Sequence, residues 1–158
     1  MKVKTIKQPW ASLIVAGIKN IENRSQPTKY RGRILIHSSA KPAGLILDLL
    51  NENQLSQLTD EQYTNVLCSP FSAIIGSVEI VDCVVNHPSI WAEKTFFDEF
   101  DPTHNEKPTY NWVLANPIKF DEPILNVKGK LSFWQHEVDL CVYCGQPTSE
   151  IFSCKNCK

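Results

Sequence analysis

The apolar period of the chain changes at Gly17, and that change restricts the fold to a mixture of helix and strand. Upstream, Trp10, Leu13, Ile14 and Gly17 recur at i, i+3, i+4 and i+7, the single buried stripe of a short helix. Pro9 suits the first turn, where a missing N–H would be unpaired anyway, and Gly17 suits the stop. Downstream, Ile21 to Arg24 alternates with the period of two that belongs to a strand, which sets Glu22 and Arg24 on one face. On this reading Trp10 is a core residue.

The remaining segments fit the same mixture. Lys2 to Ile6 reads as a first strand and RILIHSS, around Ile34, Leu35 and Ile36, as another. KPAGLILDLL reads as a helix with Pro42 near its first turn. Thr59-Asp60-Glu61-Gln62 is a capping box, which predicts a further helix running towards Val66. SAIIGSVEIVDCVV is the strongest strand, with a bulge or bend expected at Gly76. SIWAEKTFFDEF is expected to be helical with its aromatics inside. After the polar turn 101–108, YNWVLANPIKF and LSFWQHEV read as the last strands. Five or six strands with two or three helices make an α+β domain, a small curled sheet or barrel.

The 158 residues suffice for one domain with a real core and a small appendage. No apolar run approaches the roughly 18–20 residues of a membrane helix. The N-terminus lacks the apolar stretch and cleavage site of a signal peptide, so a cytoplasmic protein without a membrane partner is expected. Charge is divided unevenly along the chain. Residues 1–41 hold nine of the 16 bases (Lys2, Lys4, Lys7, Lys19, Arg24, Lys29, Arg31, Arg33 and Lys41) and one of the 17 acids, Glu22. A basic segment on an otherwise acidic chain is the footprint expected for a polyanion partner such as RNA.

The C-terminus places Cys141, Cys144, Cys154 and Cys157 in a C-x2-C-x9-C-x2-C array. Two such hooks are what a tetrahedral structural Zn2+ requires. Twenty residues with few apolar side chains cannot fold by burial, so metal binding would supply the folding energy. The alternative is two disulfides, with three possible pairings; the lack of a secretion signal favours zinc. Cys68 and Cys83 sit among apolar neighbours and read as small core residues. His37 beside Ser38 and Ser39 invites a nucleophilic reading, but adjacent strand residues point to opposite faces and no orienting acid is evident.

Taken in order, IKQPWASLIVAGIKNIENR, KYRGRILIHSS, AIIGSVEIVDC and YNWVLANPI with GKLSFW resemble the ASCH domain, a PUA-like family named for homology to activating signal cointegrator. Its signature, G-x-K-x-x-E-x-R, is matched by Gly17, Lys19, Glu22 and Arg24. The likeness divides the chain into an ASCH domain, 1–138, and a zinc-binding tail, 139–158, a knuckle or ribbon. It implies a small β-barrel with flanking helices and a cleft lined by the signature charges. It also implies RNA or a modified nucleoside or nucleotide as ligand. The tail lies outside the resemblance, and a separate reading makes it a docking point for a protein partner.

Within that cleft, Lys19 is expected to be free for a phosphate or a base carbonyl, since the sequence gives it no local partner. Glu22 and Glu79 can accept from exocyclic amines, Lys29, Arg31 and Arg33 can meet phosphates, and Trp112 can stack a base. Some bacterial members of the family hydrolyse N4-acetylcytidine with a Lys, a Thr three positions later and a Glu on a later strand. Lys19 and Glu79 match the Lys and the Glu, but Glu22 stands where the nucleophilic Thr is needed. A small amidohydrolase acting on an acylated nucleoside is therefore the alternative to a binding module.

Overall fold

A computed structural model describes residues 1–149 together with Cys154 and Cys157. Six strands form one sheet: β1 (Lys2–Ile6), β2 (Ile21–Arg24), β3 (Gly32–Ser38), β4 (Ala73–Val85), β5 (Tyr110–Ile124) and β6 (Phe133–Gln135), in the order β2-β5-β4-β3-β1-β6. Only the β1–β3 pair is parallel. The sheet curls until its two ends approach each other. The Trp112 ring of β5 stacks on Phe133 of β6 at 5.5 Å, and Arg24 Nη2 of β2 donates to the Thr5 carbonyl of β1 at 3.3 Å. The result is a half-barrel with an open seam between β2 and the β1–β6 edge.

Helix α1 (Trp10–Val15) lies across the concave face, where Ala11, Ile14 and Val15 pack on Ile34, Ile36, Val78 and Ile80. Burying aliphatic side chains of this size stabilises by about 1.5–3 kcal/mol each. Gly76 makes the contact possible: a Cβ there would lie 2.3 Å from the Ile118 carbonyl oxygen and 2.7 Å from Val15 Cγ1. The β4–β5 register shifts at this same glycine, as expected from sequence. Leu13, on the other flank of α1, joins Ile21, Ile46, Leu50, Val66 and Trp91 in a second core under the helical segment. A third core, around Val3, Leu35, Ile74, Phe120 and Trp134, covers the opposite side of the sheet. Among the described residues, no helix is long and apolar enough to cross a membrane.

The helical segment consists of three short pieces, α2 (Ile46–Leu49), α3 (Glu52–Leu55) and α4 (Asp60–Leu67). The capping box of Thr59 and Gln62 is present at α4, and a second one, Asn51 with Gln54, opens α3. The helix expected over KPAGLILDLL shrinks to one turn, with Leu45 and Leu47 exposed. Cys68 ends α4 exposed to solvent, against the expectation of a core position.

The helix expected over SIWAEKTFFDEF does not form; the segment runs irregularly from Ser89 to Phe100. Asparagines on distant strands and turns take its backbone groups instead. Asn86 bonds both the N–H and the carbonyl of Thr95. Asn23 accepts from Glu93 N and donates to Trp91 O, and Asn111 donates to Glu93 O. Trp91 is buried, whereas Phe96, Phe97 and Phe100 are exposed, so no aromatic face is hidden as the helix reading required. Held in this way, residues 90–93 stand beside β2 as a wall of the seam.

Beyond β6, a two-stranded sheet, β7 (Asp139–Leu140) with β8 (Pro147–Thr148), carries the first cysteine hook. Gln146 ties it to β5, donating to Lys119 O and accepting from Asp121 N.

Candidate functional site

The signature residues meet at the seam. Gly17, at φ +76°, ends α1 in the left-handed conformation, and the N–H groups of Ile18 and Lys19 then both bond back to Leu13 O at 3.0 Å. This tight exit aims Lys19 under β2. Its Nζ donates to Ile21 O, stands 3.8 Å from Glu22 Oε2 and lies 5.5 Å from the centre of the Trp10 ring. Arg24 Nη2 meets Glu22 Oε1 at 2.8 Å. Lys19 is 5% exposed and Glu22 8%. Burial pushes the Lys19 amine below its ordinary pKa, and the Glu22 carboxylate pulls it back up. Lys19 is thus neither free nor unpartnered, as the sequence suggested; it is a buried strut that positions Glu22.

Two cavities, of about 370 and 360 Å3, share Trp10, Glu22 and Asn23. The first is lined by amides and aromatics, with Asn51 and Gln54 on one side and Trp91 and Glu93 on the other. The second is basic: Lys4, Lys7, Arg24 and Lys130 line it beside the hydroxyl residues Thr5, Ser39 and Ser132, with Glu22 its single acid. Lys4 lies over the rings of Trp112 and Phe133 at 5.3 and 5.5 Å. Burial, helped by Arg24, lowers its pKa, and Glu22 opposes the shift. Lys4, Lys7, Lys130 and Glu93 were not singled out from the sequence, and Trp10, expected in the core, is half-buried and lines both cavities. Lys4 and Lys7 carried a signal in the basic count, but nothing local marked them as cleft residues.

Other expected residues stand elsewhere. Lys29 is exposed and lines neither cavity. Arg31 pairs with Asp82 at 3.0 Å. Arg33 pairs with Glu79 at 2.8 Å and also donates to Ser77 Oγ and Asn116 O. Glu79 accepts from Asn116 Nδ2, and this bond together with Arg33 holds its carboxyl below the usual range. Val78 and Ile80, its neighbours on β4, face α1, so Glu79 points from the other face of the sheet and is not brought to Lys19. Trp112 is 4% exposed, donates to Gln26 O and lies under Phe133, so it offers no face to a base. His37 and Ser38 are buried and bond to Val127 O and Pro70 O, leaving no nucleophile between them.

The four tail cysteines do come together. Cys141, Cys144, Cys154 and Cys157 place their Sγ atoms within 4.8 Å of one another, with Cys144 and Cys154 at 3.5 Å. A tetrahedral ion with ligands at about 2.3 Å separates its sulfurs by roughly 3.8 Å, so the cluster can hold a metal ion. Burial pushes the Cys141 thiol up, but backbone bonds at Cys144, Cys154 and Tyr143 bring it down to about 6. Crowding by Cys144 and Cys154 pushes Cys157 up to about 12. Four thiolates cannot ionise together here without a cation between them.

The family model of the ASCH domain matches residues 5–124. Over 138 residues the chain is 29% identical to activating signal cointegrator 1 of Homo sapiens and 28% to that of Mus musculus. These matches cover 83% of the chain and 21% of each relative, so the chain spans about a fifth of their length. Two crystal structures of the ASCH protein of Zymomonas mobilis, one a point mutant, are 17% and 16% identical with a TM-score of 0.49. Each covers 86% of the chain, and 89% and 87% of the matched proteins are covered in turn. The chain belongs to the ASCH domain family.

Proposed function

We propose that this chain binds single-stranded RNA, or a nucleotide from it, along the seam of the half-barrel. The observation that carries the reading is the pairing of a four-cation cavity with an amide-lined cavity across Glu22 and Trp10. Phosphates suit the basic half, where cations and hydroxyls dominate. An unstacked base suits the other half, where the half-buried Trp10 offers a ring for its face and the Asn51 amide hydrogens, not used in the capping box, can donate to its edge. Glu22, fixed by Lys19 and Arg24, is an acceptor for an exocyclic amine between the two.

Calorimetric titration with a short unstructured RNA tests the reading. Arg24→Gln should weaken binding several-fold, and a 5′-nucleotide should compete better than its nucleoside. Equal competition by the two would remove the phosphate site. The hydrolytic alternative has less support, since Glu22 holds the Thr position and Glu79 does not share a cavity with Lys19.

The tail, taken as a unit over 139–158, fits structural Zn2+, the ion that most often takes four thiolates. Thiolate ligands must stay reduced, which fits a cytoplasmic protein. The exposed Val142 and Tyr143 between the first two cysteines offer a contact for a protein partner.

A further inference from the structure

The amide-lined half of the seam is acidic where its neighbour is basic. Its ionisable groups are Glu22, Glu93 and Lys19, and Lys19 is buried, bonded to Ile21 O and set beside Glu22. Glu93 is exposed at the wall. Its backbone is fixed on both sides: the N–H donates to Asn23 Oδ1 and the carbonyl accepts from Asn111 Nδ2, each at 3.1 Å. Asn111 is fully buried and also donates to Asn23 Oδ1, at 2.9 Å. The Glu93 carboxylate, in contrast, has no hydrogen bond or ion pair among the described residues. Its charge pulls the Lys19 pKa up against the effect of burial, in keeping with a side chain turned to the cavity. The same lining offers a free donor. Asn51 Oδ1 accepts from Gln54 N, and Gln54 uses its amide on Ile90 O and its oxygen on the Asn51 N–H, which leaves the Asn51 amide hydrogens open.

A carboxylate on a fixed mount selects a base by its donors. Guanine presents N1–H and the N2 amine side by side, a match for the two oxygens of one carboxylate, with the acceptor O6 next along the same edge. Adenine and cytosine present one amine beside an unprotonated ring nitrogen, and uracil one N–H between two carbonyls; a carboxylate repels those neighbours. We propose that this half of the seam is selective for guanine and that Glu93 is the residue that reads it. Glu93 accepts from N1–H and the N2 amine, Asn51 donates to O6, and Trp10 covers the ring face. The inference rests on the nucleotide-binding reading of the seam. Calorimetric titration of the full chain with 5′-GMP, IMP, AMP, CMP and UMP tests the two separately. GMP should bind at least about tenfold tighter than AMP, CMP or UMP, as hydrogen bonds to a charged acceptor allow, and IMP, which lacks the N2 amine, should fall between. Glu93→Gln keeps both backbone bonds but turns one acceptor into a donor, and should bind GMP no tighter than UMP. Similar affinities for all five nucleotides, or a GMP preference that survives Glu93→Gln, would overturn the guanine assignment and leave the seam reading standing. No binding of any nucleotide at millimolar concentration would overturn both.

Discussion

Glu22 and Arg24, two residues apart on β2, form a 2.8 Å ion pair at the lip of the open seam, with Glu22 anchored from beneath by Lys19. The alternation of β2 puts both side chains on one face, and the exit from α1 at Gly17 delivers the third charge. This arrangement is costly to break from one side. Glu22→Gln leaves the buried Lys19 ammonium without its carboxylate, and should destabilise by about 3 kcal/mol. Lys19→Met in the same chain removes the orphaned charge and should recover part of the loss. Urea unfolding of the single and double variants checks both statements; equal loss in the two would show that the pair is not coupled.

Gly76 should tolerate no side chain. Its missing Cβ is the space taken by Ile118 O and Val15, and neither backbone nor a packed helix can give way cheaply. Gly76→Ala should cost at least about 2 kcal/mol through overpacking and lower the thermal midpoint by several degrees.

His37 should make the fold sensitive to mild acid. Burial lowers its pKa from 6.5, opposed by its bond to Val127 O and aided by His136. Between the lowered folded value and 6.5 the unfolded chain binds a proton that the native chain does not. The stability tied to neutral His37 is therefore complete above pH 6.5 and lost as pH falls through that window, by at most about 1.4 kcal/mol per pH unit. His37→Gln keeps a donor for Val127 O and should flatten that part of the pH–stability curve.

Metal removal should act on the tail and spare the sheet. The half-barrel holds three cores, the third of which takes in Leu140 of β7 only at its edge, whereas β7 and β8 pair over only two residues each. Elemental analysis should find one Zn2+ per chain. Chelation should collapse the amide signals of residues 139–149 towards random-coil positions while those of β3 and β4 persist. Loss of both sets together would make the ion part of the whole fold.

Much of this architecture was legible in the chain because its signals are local. The stripe of α1, the alternation of β2, the capping box at Thr59 and the break at Gly76 each depend on neighbours a few residues away. Residues 89–100 were misread because their backbone partners, Asn23, Asn86 and Asn111, come from other elements, and a helical pattern cannot reveal a competing distant acceptor. The cleft was partly legible for the same reason. Gly17, Lys19, Glu22 and Arg24 sit in one short run, but Lys4 and Lys130 join them only through the curl that brings β1 and β6 opposite β2. That curl also closes Phe133 over Trp112, and strand-face geometry sends Glu79 to Arg33.

On the proposed reading, the cations that meet RNA phosphates are those of the seam, Lys4, Lys7, Arg24 and Lys130, and not those of the 29–33 turn. Fluorescence anisotropy of a labelled single-stranded RNA, followed across salt concentrations, compares Lys4→Gln with Lys29→Gln. Each phosphate contact contributes about 0.7 to the slope of log affinity against log salt for a single strand. Lys4→Gln should lower both affinity and slope while Lys29→Gln changes neither. The reverse pattern, or binding that ignores salt, would contradict it.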